Sequence, residues 1–269
     1  MDDMKIQSFH KTHRTAREEG FTLVELLITI VLSLIVLTGI YSVFNAQQRA
    51  HGTNTQVVRM QQNLRAALAI LERDIRMAGY SPTGNVEVGF VEAREGLMQV
   101  TMDLNDDGDA TDEEEDIAYG FLAADDGNRD GILDTAGAVD ALRRDRGAGG
   151  GFQPIANNIR AFAFAYAFDD NQDGQLDTDA GGDIIWAVDT DGDKQLDLNV
   201  MTNAAFGSTP DLDRIREVRI WVLARSTDEI RNYTSDQIYN IGRHQIAASG
   251  EAFMHKILET RVKCRNMTF

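Results

Sequence analysis

The sequence predicts an α+β protein, in which one long amino-terminal helix packs on an antiparallel β-sheet head that carries acidic loop insertions. Three observations predict it. Residues 26–48 carry no charged side chain, and an apolar stripe with spacings of three and four follows from Val57 to Ala78. Past residue 85 the apolar pattern changes to short runs of period two. A long helix first and strands afterwards is the order of an α+β domain, not of alternating βαβ units.

The run Phe21-Thr-Leu-Val-Glu25 continues without charge through Phe44 to Gln48. As a helix it reaches roughly 36 Å, enough for a hydrocarbon core of about 30 Å. Lys5, Lys11, Arg14 and Arg17 precede it and an acidic mass follows, which places the amino terminus in the cytoplasm and the remainder outside. A secretory signal peptide would be cut at small residues after the run, and Asn45-Ala-Gln-Gln-Arg49 offers no such site. A plain anchor leaves Glu25 unexplained, because a carboxylate inside a span costs about 2.5–3.5 kcal/mol and calls for a partner.

Beyond the span, Val57, Met60, Leu64, Leu68, Leu71, Ile75 and Ala78 form one helical face, with Arg59, Gln61, Gln62, Arg65, Glu72, Arg73 and Arg76 between them. Gly79 and Pro82 supply the stop. Residues 21–48 are thus the membrane half of the helix and residues 49–80 its amphipathic half, about 88 Å in all if continuous. The head is residues 81–269. Its expected strands are Val86–Val91, Leu97–Met102, Ile159–Phe168, Ile184–Val188, Ile215–Leu223 and Phe253–Lys263. In the third, Phe162, Phe164, Tyr166 and Phe168 alternate with alanine, which predicts one heavily buried face.

The net charge of -17 is concentrated in residues 101–200, with 25 Asp+Glu against 6 Lys+Arg. No basic patch is offered to phosphates, so a nucleic-acid partner is excluded. The acids instead recur at alternate positions over about 103–197. Asp103, Asn105, Asp107, Gly108, Asp109 and Glu114 fit the twelve-residue calcium loop, in which alternate oxygens converge on one ion and glycine permits the bend. Asp126, Asn128, Asp130, Gly131 and Asp134 repeat its first nine positions, as do Asp169, Asn171, Asp173, Gly174 and Asp177. Asp189, Asp191, Asp193 and Asp197 keep the acids but have Lys194 at the glycine position. Strand-like sequence precedes the first and third loops, so the expectation is calcium-tied turns between strands, with a structural role for the ion. Asp, Asn and Gly also make turns without metal.

Gly20-Phe-Thr-Leu-Val-Glu25 resembles the processing and assembly motif of type IV prepilins and type II secretion pseudopilins. The resemblance implies that a membrane prepilin peptidase removes residues 1–20 and methylates Phe21. It also implies that Glu25 pairs with the terminal amine of a neighbouring subunit. Residues 60–80, Val218–Ser226 and His255–Asn266 are similar to the PilW-like minor pilins; the acidic middle is not. That family implies an inner-membrane precursor with a periplasmic head, later part of the pilus at the cell surface, partnered by major and minor pilins. The alternatives are a J-like type II secretion pseudopilin and a membrane-anchored calcium-binding adhesin or hydrolase. No catalytic constellation is present: His10, His13, His51, His244 and His255 lack metal-ligand spacing outside the leader, and no nucleophile elbow or phosphate loop occurs. Cys264 is the one cysteine, so no intramolecular disulfide is possible, and Gly147–Gly151 reads as a flexible link.

Overall fold

The computed structural model describes residues 20–267, so the expected leader lies outside the described residues except for Gly20. The chain divides into two compact units between Gly52 and Thr53, and helix α1, Leu23–Met77, contributes to both.

In the first unit the large apolar side chains from Leu23 to Phe44 are exposed. The polar side chains among them turn back on the helix. Thr29, Ser33 and Thr38 donate their hydroxyls to the carbonyls four residues earlier at 2.7, 2.7 and 2.8 Å, and Asn45 Nδ2 reaches Tyr41 O at 3.0 Å. Hydrocarbon demands this, since it offers polar groups no water. Among the described residues α1 is the one helix long and apolar enough to cross a membrane.

In the second unit the stripe read from the sequence is the buried face of α1: Met60, Leu64, Ala67, Leu68, Leu71 and Ile75. The helix stops where Gly79 takes a left-handed φ of 78°, and the Gly79 N–H bonds to Thr101 O at 3.0 Å. Leu71 is fully buried. Leu71→Ala is therefore expected to destabilise this unit by about 2–5 kcal/mol through lost transfer energy and a cavity, read as a lower denaturant midpoint.

The sheet is antiparallel. Strands β1 (Phe90–Ala93), β2 (Leu97–Thr101), β3 (Asp116–Gly120), β4 (Asp140–Asp145) and β5 (Gln153–Phe168) pair in sequence. A short ladder, β6 (Ala187–Val188), β7 (Leu198–Asn199) and β8 (Ala204–Ala205), joins β5 at Tyr166. β9 (Ile215–Arg225) pairs with β5. Beyond it lie the hairpin β10 (Ile238–Ile241) with β11 (His244–Ala247), and β12 (His255–Lys263), which pairs with β9. The sheet curls enough for Phe164 N–H of β5 to bond Glu95 O in the β1–β2 turn at 2.8 Å.

From Ile159 to Phe168, β5 is buried on both faces, not one. Phe162, Phe164 and Tyr166 are fully buried, and so are Ala161, Ala163, Ala165 and Ala167. The small alanine face lets a neighbouring hairpin approach closely. A Cβ on Gly242, which joins β10 to β11, would lie 2.9 Å from Ala163 Cβ. Buried Glu95 fixes that hairpin by accepting from the Arg243 N–H at 2.9 Å and Nε at 2.7 Å, with His244 Nε2 at 3.2 Å. The same carboxylate holds the His244 pKa above its usual value.

Several strand expectations need correction. The first strand begins at Phe90, because Gly89 at φ 150° breaks the run from Val86. Only Ala187–Val188 of the Ile184 run enters the ladder, Ile184 being bridged to Thr178 instead. The Leu97 and Phe253 runs are strand over Leu97–Thr101 and His255–Lys263. β3, β4, β7, β8, β10 and β11 were not expected. Gly147–Gly151 is a turn joining β4 to β5, with the Gly147 N–H bonded to Asp145 Oδ1 at 3.1 Å.

Candidate functional site

Two places concentrate chemistry: the start of α1 and the acidic loops. Gly20 and Phe21 precede the helix and are exposed, and nothing lies within 4 Å of a Cβ placed on Gly20. Thr22 and Glu25 then cap each other. The Glu25 N–H donates to Thr22 Oγ1 at 3.2 Å, while Glu25 Oε2 accepts from Thr22 N–H at 2.9 Å and from its hydroxyl at 3.0 Å. This capping box satisfies donors that have no partner at a helix start. Glu25 is the one charged side chain between Phe21 and Gln48.

The second, third and fourth acidic loops share one hydrogen-bond template. The first Asp of each is buried and receives backbone N–H groups on both oxygens. Asp126 receives Asp130 and Gly131 at 3.1 and 2.9 Å, Asp169 receives Asp173 and Gly174 at 3.1 and 3.0 Å, and Asp189 receives Gly192 and Lys194 at 2.6 and 3.1 Å. The last Asp of each closes the turn on the residue after the first. Asp134 accepts from Gly127 at 3.1 Å, Asp177 from Asp170 at 3.1 Å and Asp197 from Thr190 at 3.2 Å. Lys194 adopts φ 71°, the conformation glycine takes in the other two, so its side chain does not prevent the turn. Burial pushes the carboxyls of Asp126, Asp177 and Asp189 above the usual range.

The structure brings Asp189, Asp191 and Asp197 together, each with a carboxylate oxygen within 4.8 Å of the others. Asp193 lies outside that group and accepts from the Gln195 N–H at 2.9 Å. Asn128 and Asn171 turn their Oδ1 to the N–H of Asp130 and Asp173, at 3.3 and 2.9 Å. Asp130 and Asp173 in turn accept from the N–H groups of Ile132 and Gln175, at 2.9 Å each.

The first loop departs from its template. Asp107 and Asp109 converge within 4.8 Å with Glu115. Asn105 Oδ1 accepts from the Asp107 N–H at 3.0 Å, as Asn128 and Asn171 do in their loops. Its Nδ2 points at Asp107 Oδ2 at 2.8 Å and Asp112 Oδ2 at 3.1 Å. Glu114 adopts φ 72° and binds Arg144 Nη2 at 2.5 Å and Arg146 Nη1 at 3.3 Å. Arg144 beside it holds the Glu114 carboxyl below the usual range. The left-handed backbone at Glu114 aims its side chain at the arginines.

Arg144 also enters a buried network absent from the sequence reading. Its Nε binds Asp74 Oδ2 of α1 at 2.7 Å, and the Tyr119 hydroxyl donates to the same oxygen at 2.5 Å. Asp74, Tyr119 and Arg144 are all buried. Burial, followed by the Asp74 charge, pushes the Tyr119 phenol far above its ordinary pKa, so it stays a donor. Cys264 is buried and free, and burial pushes its thiol up, which leaves it unreactive.

A charge-free amino-terminal helix with Glu25 one turn inside it, continued by an amphipathic half on an antiparallel sheet, defines a type IV pilin-like subunit. Two family profiles match the sequence, the Prokaryotic N-terminal methylation motif over residues 15–41 and the Type IV Pilus-assembly protein W family over residues 131–266. The chain belongs to the PilW family of type IV pilus-assembly proteins. A type IV-like pilin from Thermus thermophilus matches it in structure at 14% identity and a TM-score of 0.39, over 78% of this chain and 99% of that one. No curated protein matches in sequence.

Proposed function

We propose that this chain is a minor pilin that a prepilin peptidase cuts between Gly20 and Phe21, and that it helps start assembly of a type IV pilus. The carrying observation is Glu25, a single carboxylate at the first turn of a helix that is otherwise without charge through Gln48. Before cleavage Thr22 satisfies that carboxylate locally. After cleavage the new amino terminus at Phe21 is a cation of matching depth, and a neighbouring subunit's carboxylate neutralises it more cheaply than lipid tolerates either charge alone. Assembly thus selects subunits that have been cut. In this reading the membrane half, residues 21–48, holds the precursor in the inner membrane with its head in the periplasm. The role is structural, not enzymatic.

Calcium in the acidic loops belongs to the same reading. Its support is the shared template of three loops, the convergence of Asp189, Asp191 and Asp197, and 19 uncompensated negative charges over residues 101–200. A divalent ion would offset both the mutual repulsion and the burial cost on the first Asp of each loop. Deleting the gene is expected to remove surface pili counted by electron microscopy while leaving protein secretion intact. Normal pili with exoproteins trapped in the periplasm would sink the pilus role and favour a type II secretion pseudopilin.

A further inference from the structure

We propose that the loop 103–115 holds a calcium-type cation through Asp103, Asp107, Asp109 and Glu115, while Glu114 latches the same loop to helix α1. This rests on the calcium reading of the head and assigns one site within it.

Two buried oxygens single out this loop. Asp103 is 0% exposed and its Oδ2 has no hydrogen-bond partner; Glu115 is 2% exposed and its Oε2 has none either. Each of these carboxylates is anchored by its other oxygen. Asp103 Oδ1 accepts from the Asp106 N–H at 2.6 Å, and Glu115 Oε1 from the N–H groups of Leu104 and Asn105 at 2.8 and 3.2 Å. In the loops that begin at Asp126 and Asp169, by contrast, both oxygens of the first Asp are bonded. A buried carboxylate oxygen without a donor is costly, and the cost rises through like-charge repulsion where carboxylates converge, as Glu115 does with Asp107 and Asp109 within 4.8 Å, oxygen to oxygen. A buried, anchored carboxylate that converges with two others is what a hard cation with oxygen ligands requires, and Asp103 at the start of the loop has a second unpartnered oxygen.

The adjacent residue serves a different purpose. The Glu114 N–H donates to Arg146 O at 2.8 Å, and its carboxylate reaches Arg144, which binds Asp74 of α1. Neighbouring residues therefore face opposite ways, one toward the cation and one toward the helix. An ion on Glu115 fixes the backbone that presents Glu114, so filling the loop tightens the contact between α1 and the sheet.

The test counts bound calcium per chain by equilibrium dialysis at millimolar calcium, using the full mature chain in detergent, with melting temperatures in calcium and in chelator. Glu115→Gln is expected to lose one calcium per chain. In chelator it should melt no lower than wild type, since it removes an unpartnered buried charge; in calcium it should melt lower. Glu114→Gln is expected to keep the wild-type count and to melt lower in both conditions. Asp109→Asn, at an exposed position, should also lose one ion and carries the test if Glu115→Gln does not fold. An ion lost from Glu114→Gln but not from Glu115→Gln or Asp109→Asn would overturn this assignment and leave calcium in the head intact. A wild-type chain that binds no calcium would overturn the calcium reading as a whole.

Discussion

Replacing Arg144 by methionine is expected to destabilise the head by about 3–5 kcal/mol, the cost of leaving one partner of a buried ion pair alone. Arg144 sits on β4, and its guanidinium serves α1 through Asp74 at 2.7 Å and the acidic loop through Glu114 at 2.5 Å. Methionine roughly fills the space of the stem but supplies no charge. Asp74, 3% exposed, would keep only the Tyr119 hydroxyl and the largely exposed Arg73. A pair in water would count for little, about 0–1 kcal/mol; burial is what makes this one expensive to break. Removing both charges, with Asp74→Leu added to Arg144→Met, should recover much of the loss, because no orphan charge then remains. The measurement is the denaturant midpoint of the three proteins. A fall under about 1 kcal/mol for the single variant would mean that water reaches Asp74 and that the network is not a fastener.

That network also shows where sequence reading stops. The buried stripe of α1 was legible because Leu64, Leu68, Leu71 and Ile75 repeat at the helical period, and β5 and β9 because their sequences alternate at the strand period. β3 and β4 escaped. β3 is short and follows an acidic run, and β4 reads Asp-Ala-Leu-Arg-Arg-Asp, whose buried Arg144 breaks the apolar alternation that marks a strand. A charged residue is read as exposed unless its partner is known, and the partner here lies 70 residues away. The start of α1 was legible from the charge-free apolar run, whereas the capping box of Thr22 and Glu25 at its first turn was not read.

The acidic loops were legible as turns but not in the placement of every side chain. The loops from Asp126 and Asp169 follow their spacing because glycine stands where the chain must turn left-handed, at Gly131 and Gly174. In the first loop the twelve-residue count points to Glu114, yet strand parity points to Glu115, which shares the buried side of β3 with Ile117 and Tyr119. The two rules conflict at one residue. The strand prevails because pairing already begins there, with the Met102 N–H on Glu115 O at 2.9 Å.

Glu25→Leu is expected to leave membrane insertion and cleavage after Gly20 unchanged and to remove the subunit from sheared pili. Leucine relieves the insertion cost of a carboxylate, about 2.5–3.5 kcal/mol, so the anchor is strengthened. The helix start loses its reciprocal cap on Thr22, a local effect on the order of 1 kcal/mol. The substitution also removes the charge that would meet a neighbour's amino terminus in an apolar bundle. That amine exists only after processing, so retention and assembly depend on different halves of the same motif. Amino-terminal sequencing of the membrane fraction checks the cut, and immunoblotting of sheared fibres checks incorporation. Uncut protein in the membrane would show that the peptidase also reads Glu25. Fibres containing the variant at the wild-type level would remove the amine–carboxylate contact from the mechanism, and Glu25 would then be no more than a helix cap.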